Sequence, residues 1–178
     1  MAQTINPWKA NLTNGLILSL VGIIWSLALY FLDLTFNVTL GYIFLVIQIV
    51  VLFLLIKSYR DNSLHGYMTY GQAIGAGVII VLYSAVIMAI FTYILYAVID
   101  PELTTKKLAF MEEMMLKRGA PEATIEPFMK LQEKWQKPGI QAPVSILGGV
   151  FGGTIMCLLI GIFVRKEGNP LIDSTESK

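Results

Sequence analysis

The chain has 178 residues, 56% of them hydrophobic and 14% charged, with a mean hydropathy of +0.68. Soluble domains carry about 25% charged residues, so an ordinary soluble fold is excluded, and a net charge of +1 leaves no basic footprint for nucleic acid. The one cysteine, Cys157, excludes an intramolecular disulfide and reads as a small packing residue.

The charge is distributed unevenly. Runs without Asp, Glu, Lys or Arg cover 10–32, 34–56, 62–99 and 138–164. A membrane crossing needs about 20 apolar residues at about 1.5 Å each, and every run is long enough for one. The runs are continuous rather than alternating, which excludes a β-barrel. The expected fold is an all-α integral membrane protein of one membrane domain, 1–178. It has four transmembrane helices and an amphipathic helical hairpin between the third and the fourth.

The first span is expected over about 12–32. It is too long for a signal-peptide core and lacks a small-residue cleavage site, so it reads as an uncleaved span. Trp8, ahead of it, is placed to anchor at the membrane interface. Gly15, Ser19, Gly22 and Ser26 form a small-residue stripe on one helix face. Asp33 to Asn37 reads as a tight turn without a basic residue, and the second span follows over about 38–56. Its one strongly polar group is Gln48, whose amide needs a partner on a neighbouring helix. Residues 57–65 form a polar loop with Lys57, Arg60, Asp61 and the only histidine, His65. A metal site or a proton relay needs companions that His65 lacks.

The third span is expected over about 69–99, longer than a bilayer requires. Tyr67, Tyr70 and Gln72 are the polar-tipped residues placed at its membrane boundary. Gly71 with Gly75 and Ala73 with Gly77 form two interleaved pairs four residues apart, each offering a face to a neighbouring helix. Tyr83 falls near mid-span and should find a partner for its hydroxyl.

The hydrophilic segment 100–143 follows. Asp100-Pro101-Glu102 is a helix-start signal, and Gly119 is placed to cap the helix end. Pro121 and Glu122 start a second helix, carrying Ile125, Phe128, Met129 and Trp135, that Pro138-Gly139 is expected to end. Trp135 is a further interface candidate. Seven basic residues balance seven acidic ones here, and the Met-rich face must lie on lipid, cap the bundle or bind a partner. Glu112 and Glu113 read as a solvated face rather than a carboxylate pair for catalysis. The fourth span is expected over about 144–164. Gly149, Gly153, Cys157 and Gly161 recur four apart along it, with Gly148 and Gly152 as an adjacent stripe. Arg165 and Lys166 end it, and a polar tail follows.

Basic residues flank spans two and four (Lys57, Arg60, Arg165, Lys166), and the first loop has none. The positive-inside rule then places both termini in the cytoplasm and the hairpin outside. The predicted spans hold no charged residue, as a proton relay or ion-coupled carrier would require. There is no phosphate loop, zinc spacing or Ser/His/Asp set.

The glycine-aromatic-glutamine entry to span three carries a family resemblance: Gly66, Met68, Thr69, Tyr70, Gly71, Gln72, Ala73 and Gly77. With it go Asp100-Pro101-Glu102, the Met-rich segment and the glycine-rich last span. The chain resembles the bacterial four-span membrane family called domain of unknown function 4199. That resemblance implies a bacterial inner membrane and no enzymatic activity, and brings no catalytic residues. The expected role is a non-catalytic accessory or scaffold subunit that packs through Gly71, Gly75, Gly77, Gln48, Gly149, Gly153 and Gly161. Its partners would be the bilayer and either another protein or a second copy, with no cofactor and no metal. The alternative is a small oligomeric transporter or channel for a neutral solute, lined by Gln48, Tyr83, Ser84 and Thr92. A third reading is a membrane partner of a lipid-linked glycosyltransferase.

Overall fold

A computed structural model describes residues 6–167. The tail beyond Glu167 lies outside the described residues. The described chain is helical: α1 Pro7–Phe31, α2 Val38–Ser63, α3 Tyr70–Ile94 with a π-helical turn Leu95–Ile99, α4 Glu102–Lys117, α5 Glu122–Trp135 and α6 Pro138–Val164. Four helices, α1, α2, α3 with its π turn, and α6, are long and apolar enough to cross a membrane. The chain is a multi-pass membrane protein with α4 and α5 between its third and fourth long helices.

α1, α2 and α6 are longer than their expected spans, whereas α3 with its π turn, Tyr70–Ile99, matches its own. Asn6 caps α1 by accepting the Trp8 N–H, so the helix begins five residues before the expected span. α2 runs on to Ser63, past Lys57 and Arg60, because charged side chains end a span without ending a helix. The largest difference is at Pro138-Gly139, which starts α6 instead of merely ending α5. Proline suits a first helical position, where its missing N–H has no partner to lose. Pro143 then lies inside α6.

The turns follow from local chemistry. Asp33 adopts φ 55°, and the Leu34 N–H reaches back to the Leu29 carbonyl at 2.8 Å, closing α1. Asn37 caps α2 through the Leu40 N–H. Gly119, at φ 76°, ends α4 as expected, with the Ala120 N–H bonded to the Met115 carbonyl. Asp100 starts α4 by accepting the Glu102 N–H at 3.1 Å.

α3 is the central helix, with α1 on one side, α6 on another and α2 leaning across. Its buried residues include Ala73, Ala76, Gly77, Ile80, Val81 and Ser84. The bundle has two ends. The start of α3 and the ends of α2 and α6 meet at one of them, and α1 starts on the same side of the bundle but deeper, beside Tyr83. The α1–α2 turn and the α4–α5 hairpin meet at the other, where Phe110 of α4 stacks on Phe36 at 5.7 Å and Leu103 is buried. The hairpin therefore caps the bundle with part of its apolar face.

Candidate functional site

The glycines separate into two sets by what surrounds them. Gly149 faces Ala85, Gly153 faces Val81, Cys157 faces Gly77, and Gly161 faces Tyr70 and Ile74. Two stripes of four-residue period thus run antiparallel through the α3–α6 contact. The approach is close: a Cβ on Gly77 would lie 2.5 Å from Cys157 Sγ and one on Gly161 would lie 3.0 Å from Tyr70 Cε2. Gly15 sits against Tyr83 and Gly22 against Met88, so the first stripe packs α1 on a different face of α3. Gly71, Gly75, Gly148 and Gly152 have nothing within 4 Å of where a Cβ would stand. Of the two interleaved pairs at the start of α3, only Ala73 and Gly77 turn inward; Gly71 and Gly75 pack against no helix among the described residues.

The end of the bundle beside Gly71 is tied together by polar contacts. Arg60 donates through Nη1 to the Val164 carbonyl at 2.9 Å and through Nε to Asp61 at 2.8 Å. One of the free carbonyls at the end of α6 is satisfied in this way. Met68 and Lys166 exchange two backbone hydrogen bonds, 2.8 and 2.9 Å, and Lys166 Nζ lies 5.6 Å from the centre of the Tyr67 ring. Thr69 and Gln72 form a reciprocal capping box: the Gln72 N–H donates to Thr69 Oγ1, and the Thr69 N–H donates to Gln72 Oε1. The Thr-x-x-Gln spacing was the sequence signal for this cap, and reading Gln72 as a boundary residue overlooked it. His65 (φ 55°) and Gly66 (φ 85°) make the left-handed turn into this region. A cleft of about 460 Å³ lies beside it, lined by His65, Tyr67, Thr69, Gln72 and Lys166 among others.

The interface residues are placed unequally. Tyr67 is 53% exposed at the tied end, Trp8 is 48% exposed beside the Tyr83 ring, and Trp135 is 47% exposed at the hairpin end. Tyr70 turns inward instead: its ring packs on Gly161 and its hydroxyl donates to the Leu158 carbonyl at 3.0 Å. It is a helix-packing residue, not a free anchor at the headgroups. The Tyr83 hydroxyl bonds the Trp8 carbonyl at 3.4 Å, the partner its depth required. Gln48 departs from expectation, since its half-buried amide makes no side-chain hydrogen bond among the described residues. Cys157 is buried and free, and Glu112 and Glu113 are exposed, with Glu113 paired to Lys117. Among the described residues no group of three His, Cys, Asp or Glu stands ready to hold a metal ion.

The motif at the entry to α3 and the glycine stripe of α6 are therefore the two halves of one helix contact. A family model described as a protein of unknown function, DUF4199, matches residues 13–166, from α1 through the end of α6. The chain belongs to this family. No curated protein and no solved structure matches it. The DUF4199 match takes in the capping box, the left-handed turn and both bonded ends of the Met68–Lys166 bridge, all the parts that hold the tied end together.

Proposed function

We propose that this DUF4199 protein is a non-catalytic accessory or scaffold subunit of a complex in the bacterial inner membrane. In this reading both termini and the tied end face the cytoplasm, and the α4–α5 hairpin is periplasmic. One observation supports it above the rest. The bundle's own packing uses Gly15, Gly22, Gly77, Gly149, Gly153 and Gly161, while Gly71, Gly75, Gly148 and Gly152 open outward. In lipid, helices associate through close backbone approach at small residues. Outward glycines on α3 and α6 would give such an approach to a helix of another subunit or of a second copy.

Affinity purification in mild detergent at native expression level, with mass spectrometry of what co-elutes, tests this. The wild type should bring down a stoichiometric membrane partner or form a defined homo-oligomer. Replacing Gly71 and Gly75 with leucine should abolish that association while the variant still folds. An unchanged complex in the double variant would remove the reading. Gln48 supports a second reading, an oligomeric pore for a neutral solute. Its unbonded amide suits a lining group, and Gln48→Leu should then abolish flux with stability intact.

A further inference from the structure

A second feature lies at the opposite end, where the hairpin meets α6. A cleft of about 400 Å³ opens between α4, α5 and α6, within the usual size of a small-ligand site. Its polar lining is Lys107, Gln132, Gln136, Gln141 and Ser145. Among the described residues no carboxylate lines it. Lys107 Nζ donates to Gln136 Oε1 at 2.9 Å and stands 5.9 Å from the centre of the Tyr96 ring, which the π turn carries. π turns are frequent at functional sites. Gln136 is only 8% exposed. Lys106, Lys117 and Lys130 of the hairpin all pair with acids. Lys107 is the partly buried one and makes no ion pair among the described residues. Burial holds its ammonium below the ordinary lysine value. A desolvated cation among neutral amides is costly until an anion meets it.

The depth of the cleft indicates where that anion comes from. Counting back from Arg165 along α6, about 20 residues at about 1.5 Å each span the ~30 Å hydrocarbon core and end near Ser145. The cleft thus sits at headgroup level. Its lip is apolar: Leu131, Trp135 and Val144 line it, and the exposed Leu147 and Phe151 carry the apolar surface on down α6. Tryptophan is favoured at this depth, and a lysine with amide donors beside it suits a phosphate through charge-assisted hydrogen bonds.

We infer that the cleft between Lys107, Gln136 and Ser145 binds the phosphate of an anionic phospholipid whose chains lie along α6. Lys107 supplies the charge, the amide N–H groups of Gln132, Gln136 and Gln141 donate to the phosphate oxygens, and Tyr96 flanks the ammonium; the Ser145 hydroxyl, which donates to the Ala142 carbonyl at 2.8 Å, shapes the lip of the cleft. This is independent of any protein partner.

The test uses the full-length protein, stripped of lipid in detergent and titrated with phosphatidylglycerol or phosphatidylcholine of matched chains. Native mass spectrometry counts the retained lipid. The wild type should prefer phosphatidylglycerol by about tenfold, because both headgroups carry the phosphate but phosphatidylcholine also sets a quaternary ammonium near Lys107. Lys107→Gln should erase the preference, Lys107→Arg should keep it, and Lys134→Gln, an exposed lysine outside the cleft, should leave it unchanged. Should Lys107→Gln fail to fold, Gln141→Leu takes its place and should reduce the preference. Equal binding of the two lipids by wild type overturns the inference, as does an equal loss in the Lys134 variant. Lys107-dependent binding of inorganic phosphate that displaces no lipid would identify a free anion as the occupant and overturn it too.

Discussion

At Gly153 the backbone of α6 lies against the Val81 side chain so closely that a Cβ has no room. One residue earlier, at Gly152, the same Cβ would enter open space. The two positions share a helix, a depth and a residue type, so they isolate packing from intrinsic helix preference. Gly153→Val should destabilise the protein by about 1–3 kcal/mol, the usual cost of forcing a side chain into a filled contact. Gly152→Val should leave the unfolding temperature in detergent unchanged or slightly raised. Equal effects at both sites would show that the α3–α6 stripe is not the contact that holds these helices. The same contrast distinguishes Gly77, against Cys157 and Ile56, from Gly75, which touches nothing. Tyr70 belongs to the packed set, because its ring fills the space that Gly161 leaves and its hydroxyl closes on the Leu158 carbonyl.

At the level of elements, α3 depends on its first turn. The capping box of Thr69 and Gln72 supplies partners for two backbone N–H groups where the chain leaves the Met68–Lys166 bridge. Thr69→Ala should cost about 1 kcal/mol and should speed amide exchange in the first turn of α3, read by hydrogen–deuterium exchange. Exchange unchanged there would mean that the bridge alone fixes the entry. The four long helices were legible because charge-free runs of that length have few other uses, and Gly119 and Asp100 were legible because caps are local. Helix ends such as Pro138 were not, since proline both stops and starts helices and only the chain around it decides. Nor could the pattern say which of two interleaved small-residue pairs at 71–77 turns inward: both have the same period, and only the α6 stripe opposite selects Ala73 and Gly77. The Lys107 cleft was invisible for the same reason. Lys107 and Gln136 are 29 positions apart and meet only through the fold of the hairpin.

For the whole molecule, the proposed orientation rests on how charge is spread between its two ends. Lys9, Lys57, Arg60, Arg165 and Lys166 belong to the tied end, where Asp61 and Glu167 are the neighbouring acids. The hairpin has seven basic residues of its own, which taken alone would oppose that orientation, because the rule counts Lys and Arg rather than net charge. Two facts weigh against them. The α1–α2 turn, which shares the hairpin's end of the bundle, has no basic residue. Arg165 and Lys166 directly follow α6, and Lys57 and Arg60 lie in the last turns of α2, so these charges flank spans rather than sit in a folded segment between them. A reporter active only in the cytoplasm, fused after Lys178, should therefore be active, and the same reporter inserted at the exposed α4–α5 turn beside Gly119 should be silent. A reporter active only outside should give the reverse pattern. If both fusions invert, the hairpin is cytoplasmic, and the Lys107 cleft then draws its lipid from the inner leaflet. If the two positions report the same side, α6, the one long helix between them, does not cross the membrane. The hydrogen bonds that join the ends of α2 and α6 to the start of α3 oppose that outcome, because they hold three of the four helix termini in one place.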